Sequence, residues 1–113
     1  MKVANLQSTT SSDQFAILVD EVPDGGRQLV EVNEQLLLIF RIGQQFFCLE
    51  DICTHDGGNL SEGEHQGFQI ECPRHSARFD IRTGEALSMP ATKPTRAYEC
   101  RVENNQVFVR LPN

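Results

Sequence analysis

Residues 53–58 read Cys53-Thr54-His55-Asp56-Gly57-Gly58, and residues 72–80 read Cys72-Pro73-Arg74-His75-Ser76-Ala77-Arg78-Phe79-Asp80. Two thiols and two imidazoles arrive as two short clips, Cys-x-His and Cys-x-x-His, with sixteen residues between them. The connector ends in Gly67-Phe68-Gln69-Ile70-Glu71, a strand-like run. Cys53, His55, Cys72 and His75 are therefore read as a four-ligand metal site.

Two Cys and two His suit either Zn²⁺ or an iron–sulfur cluster, because thiolate and imidazole bind both. The spacing favours iron. Structural zinc clips usually leave at least two residues between ligands, whereas only Thr54 separates Cys53 from His55. A single tetrahedral ion needs four donors converging on one point. In a dinuclear cluster each clip can give its Cys to one iron and its His to the other.

At these residues the sequence resembles the Rieske ferredoxin family, whose signature is Cys-x-His, an intervening stretch of this length, then Cys-x-x-His. The usual companions are present too: Thr54, Gly57-Gly58, Pro73, Phe79-Asp80 and the turn Arg82-Thr83-Gly84. The resemblance implies one [2Fe-2S] cluster, with the two Cys on one iron and the two His on the other. High-potential members carry an extra Cys in each clip and join them by a disulfide. Gly58 and Arg74 stand at those positions here, so that bridge is excluded. Ala77 and Phe79 replace the Ser and Tyr whose hydroxyls bond to cluster sulfurs in such members. Losing both donors implies a low potential. One departure is Ser76, where the family usually has Gly for its backbone freedom.

Outward from the clips, the chain reads as short strands separated by turns, with no segment of helical period. Expected strands are 15–21, 28–32, 35–42, 45–50, 77–81, 96–103 and 106–111, with turns at Pro23-Asp24-Gly25-Gly26, Asn33-Glu34, Arg82-Thr83-Gly84-Glu85 and Asn104-Asn105. Leu36-Leu37-Leu38-Ile39-Phe40 is apolar on both faces, as a central strand should be. Val107, Val109 and Leu111 alternate inward. Cys48 reads as a core thiol, and Cys100 as buried with Tyr98 and Val102. His65, in the polar run Ser61-Glu62-Gly63-Glu64-His65-Gln66-Gly67, reads as a surface residue. The segment Ser88-Met89-Pro90-Ala91-Thr92-Lys93-Pro94 reads as a proline-stiffened connector; the resemblance places it over the cluster, with Pro90 packing there.

The fold expected is all-β: a Rieske-like antiparallel β-sandwich with a small cluster-binding subdomain formed by two loops. Residues 1–13, polar and rich in Ser and Thr, are expected as a flexible tail, and residues 14–113 as the Rieske domain. The absence of an apolar block of spanning length points to a cytoplasmic protein with no membrane partner.

Charge and motif content narrow the function classes. Sixteen acidic and ten basic residues give a net charge of −6, which disfavours nucleic acid and suits a basic face on a redox partner. No flavin or nicotinamide fingerprint is present, nor a separate 2-His-1-carboxylate set. The chain is therefore expected to be no enzyme itself. The resemblance implies a monomeric, low-potential carrier passing single electrons from a flavin-dependent reductase to a terminal oxygenase, with the His55 and His75 edges as its port. Two alternatives are a Rieske-like small subunit of a larger redox enzyme such as assimilatory nitrite reductase, and a structural zinc module.

Overall fold

The computed structural model describes residues 11–52, 59–73, 76–89 and 93–112. In them lie β1 (Ser11–Leu18), β2 (Arg27–Val32), β3 (Gln35–Ile42), β4 (Gln45–Glu50), β5 (Glu64–Gln66), β6 (Gln69–Glu71), β7 (Arg78–Asp80), β8 (Ala97–Tyr98), β9 (Cys100–Glu103) and β10 (Gln106–Pro112). The sole helical segment among them is a 3₁₀ turn, Val19–Glu21. All strand pairs are antiparallel and form three sheets, in the orders β1-β10-β9, β2-β3-β4-β8 and β5-β6-β7. The all-β sandwich with a small appended sheet is thus as expected.

The four-stranded sheet is the wall between two cores, and β3 shows why. Leu37 and Ile39 point to one side, into a cluster with Ile17, Val32, Cys48, Val107, Val109 and Leu111. Leu38 and Phe40 point to the other, against Leu49, Leu60, Ile70, Cys72, Ala77, Phe79 and Ile81. The alternation of strand side chains lets one apolar run serve both sides. Its hairpin to β2 turns on Asn33 (φ 52°) and Glu34 (φ 68°), and the β9–β10 hairpin on Asn104 (φ 52°) and Asn105 (φ 64°). Both are left-handed pairs whose twist matches the flanking strands.

Three expectations need correction. The first strand lies earlier than 15–21, at Ser11–Leu18. Ser11, Ser12 and Asp13, assigned to the tail, pair with Pro112, Leu111 and Arg110, and the Asp13 carboxylate accepts from Arg101 (2.8 Å) and Arg110 (3.1 Å). Second, the continuous strand expected over 96–103 is two strands in different sheets: β8 pairs with β4 and β9 with β10. β9 is an edge strand, so Val102 is exposed and Cys100 only half-buried. Third, Glu64–Gln66, outside every expected strand, is β5, paired with β6. Gly63 permits this approach, since a Cβ there would lie 1.8 Å from the Glu71 carbonyl oxygen.

Candidate metal centre

Of the four ligands read from the sequence, Cys72 lies within the described residues; Cys53, His55 and His75 lie outside them, as do Arg74 and Pro90. The flanks of both clips are described, and they show what holds them.

The second clip leaves the end of β6. Cys72 is buried and free, 1% exposed. Its N–H donates to the Ala77 carbonyl (2.7 Å), and its carbonyl accepts from the Ser76 N–H (3.0 Å). Such a tight return needs a left-handed residue, and Ser76 takes that role with φ 60°. Ala77 and Phe79 follow, both fully buried in the core that contains Cys72.

The first clip leaves the end of β4 and re-enters at Asn59. Asp51, 5% exposed, accepts from the Ser61 N–H (2.7 Å) and from Asn59 Nδ2 (2.8 Å), joining the residues before and after the clip. From β2, Arg27 donates to the carbonyls of Ser61 and Gly63. Leu60 anchors the same segment in the core with Cys72 and Ala77, so both clips rise from one packed base.

The described ends of the segment 88–95 are tied to the flanks of both clips. The Arg78 N–H donates to Ser88 Oγ (3.0 Å), and Thr95 Oγ1 donates to the carbonyl of Ile52 (3.1 Å), the residue before Cys53. Gly84 seats Thr95: its φ is 82°, and a Cβ there would fall 2.1 Å from the Thr95 carbonyl oxygen. The Arg82-Thr83-Gly84 turn thus has a packing reason as well as a conformational one.

Asp51, Arg27 and Thr95 were missed in the sequence. Apart from the Asn59 amide, their partners are backbone groups distant in the chain, which no spacing rule displays. Asp80, by contrast, serves the turn after β7. Arg82 donates to Asp80 through its backbone N–H (2.8 Å), Nε (3.0 Å) and Nη2 (2.9 Å). These bonds, the guanidinium's first, hold the Asp80 carboxyl below its ordinary range against the opposing effect of burial.

His65 is not the free surface residue expected. It is half-buried, its ring meets Phe40 edge-on at 5.0 Å, and Nε2 lies 2.7 Å from the Gly67 carbonyl. The carbonyl only accepts, so the proton sits on Nε2, leaving buried Nδ1 without a partner. Cys48 is core, as expected, and contacts Cys100; that hydrogen bond, burial and the neighbouring thiol's charge together push the Cys48 thiol well up.

A cluster-binding role fits these residues. Cys72 is a buried thiol with no disulfide partner, its backbone bonded to Ser76 and Ala77, and the donor set of two thiols and two imidazoles suits iron. Among the described residues no other group of three or more His, Cys, Asp or Glu could hold a metal ion.

A profile of the Rieske [2Fe-2S] domain matches residues 12–99. A 3-phenylpropionate/cinnamic acid dioxygenase ferredoxin subunit from Photorhabdus laumondii is 37% identical over 101 residues, covering 88% of this chain and 95% of that protein. The ferredoxin of carbazole 1,9a-dioxygenase from Nocardioides aromaticivorans IC177 superposes with a TM-score of 0.81 at 27% identity, covering 87% of this chain and 96% of that one. A further match, TM-score 0.76 at 34% identity and covering 89% and 93%, comes from a complex of reduced oxygenase and oxidised ferredoxin in carbazole 1,9a-dioxygenase.

Proposed function

The chain belongs to the Rieske [2Fe-2S] domain family, and from that membership we infer that it is the ferredoxin of a dioxygenase system, an electron carrier and not itself an enzyme. One [2Fe-2S] cluster would be held by Cys53, His55, Cys72 and His75. The observation that carries this reading is the buried, unbridged Cys72 on its tight loop, in a chain matched by the family over residues 12–99.

When bound, the cluster supplies one-electron redox chemistry. The protein's part is to hold and shield it. The core beneath Cys72 keeps water from that thiolate's side, and Asp51, Arg27 and Thr95 fix the strand ends from which the clips leave. Ala77 and Phe79 bring no hydroxyl, which supports a potential near the bottom of the roughly −150 to +300 mV Rieske range.

The partners proposed are a flavin-dependent reductase as donor and a terminal oxygenase as acceptor; the oxygenase is supported by the similar ferredoxin whose structure is a complex with one. The ring edges of His55 and His75 would face them. The net charge of −6 favours a basic docking face and no nucleic acid. No helix among the described residues is long and apolar enough to cross a membrane, and we place the carrier in the cytoplasm as a monomer.

Anaerobic purification followed by iron and sulfide analysis tests the proposal. Two irons and two sulfides per chain are expected, with visible absorbance lost in His55→Ala, His75→Ala and Cys72→Ala. A colourless protein with one zinc ion would overturn it.

A further inference from the structure

Asp51 directly follows β4, and Ile52 alone separates it from Cys53. Its Oδ1 accepts from the Ser61 backbone N–H at 2.7 Å and its Oδ2 from the Asn59 amide at 2.8 Å. Both oxygens accept, which is the pattern of an ionised carboxylate. No cation among the described residues lies within ion-pair distance of it. The nearest compensation is indirect, through Ser61, whose carbonyl accepts from Arg27 Nε (3.2 Å) and Nη2 (2.9 Å). Carboxylate and guanidinium thus hold Ser61 by its N–H and its C=O, in consecutive peptide groups, and pin residues 59–63 to the ends of β4 and β2.

We propose that Asp51 is the positioning residue of the first ligand clip: its carboxylate ties together the two ends of the segment carrying Cys53 and His55, and its charge holds the reduction potential down. This rests on the cluster assignment above. Two physical effects carry it. Removing the acceptor strands two donors at a buried site, which weakens the tie by roughly tenfold or more in population. And Asp51 stands two residues from Cys53, so the Cα atoms of the two lie within about 7 Å of each other by covalent geometry. Reduction adds negative charge, and in a buried setting a like charge at that range opposes it.

Asp51→Asn separates the two effects. The new amide keeps an acceptor for Ser61, and a rotation of the Asn59 amide restores the second bond, so hydrogen bonding survives while the charge is lost. Asp51→Ala loses both. The measurements are iron content, midpoint potential by protein-film voltammetry, and the rate of bleaching of visible absorbance at fixed temperature. Asp51→Asn should keep two irons per chain and show a higher potential than wild type; Asp51→Ala should bleach about tenfold faster. A potential unchanged in Asp51→Asn, or wild-type bleaching in Asp51→Ala, overturns the proposal. Should Asp51→Ala retain no cluster, far-UV circular dichroism decides: an intact β spectrum assigns the loss to the clip, and a collapsed one overturns the local role. A wild-type protein without iron or sulfide would instead refute the proposed function, a result distinct from any of these.

Discussion

Ala77 and Phe79 are the residues at which the sequence spoke most directly about redox behaviour, and the structure sharpens what changing them would do. Both are fully buried in the core under Cys72, so a hydroxyl added there is shielded from water and must find its partner within the site. The Ala77→Ser/Phe79→Tyr double variant should therefore raise the midpoint potential, checked by voltammetry; a fall or no change would contradict a hydroxyl-poor cluster site. His65 was less legible. Glycines on either side of a polar run look like a loop, and the ring's contact with Phe40 comes from a strand some twenty-five residues earlier. His65→Ala should keep the full visible absorbance, since the ring's Nε2 is engaged by the Gly67 carbonyl and the ring itself by Phe40. It should also cost about 1–2 kcal/mol in urea denaturation, through one aromatic contact and one hydrogen bond, partly offset by relief of the orphaned Nδ1. Ser76 shows the reverse case: the sequence flagged a departure from Gly, and its φ of 60° confirms that this position needs left-handed backbone.

At the level of elements, hairpins were readable because their signals are local. Asn33-Glu34 and Asn104-Asn105 sit where a two-residue turn needs positive φ. The change of sheet at Glu99 was not readable. Alternation runs unbroken from Ala97 to Val102, and what splits it is the choice of partner, β4 for Cys48↔Tyr98 and β10 for Cys100↔Val109. The turn after β7 carries a pH dependence. Because Arg82 holds the Asp80 carboxyl below its ordinary range, the folded state binds that proton less readily than the unfolded chain. Its contribution to stability is present in full above the unfolded value of about 3.9 and is lost as pH falls through the lower folded value. Asp80→Asn removes this dependence. The melting temperature of wild type should exceed that of the variant by a constant margin above about pH 5, and the margin should shrink on acidification towards pH 2.5. A margin that widens in acid would show that Asp80 is not the group responsible.

For the whole molecule, the decisive feature is a single sheet buried on both faces, which puts two cores of different duty back to back. Leu37 and Leu38 are adjacent, of one type and almost wholly buried, yet Leu37 belongs to the core shared with β1 and β10, and Leu38 to the core under the cluster loops. Truncating either to Ala removes the same atoms and leaves a cavity, at a cost of about 2–5 kcal/mol. Far-UV circular dichroism in urea should therefore rank the two variants close together. Loss of the cluster is a different event, because it needs only the β5-β6-β7 sheet and its loops to open, and such local openings draw on the contacts of that part alone. Leu38→Ala should bleach faster than wild type in native buffer, by roughly tenfold or more, while Leu37→Ala bleaches at nearly the wild-type rate. Equal bleaching in the two would mean that the cluster end opens only when the entire sandwich does, and that the central sheet transmits strain between the cores instead of separating them.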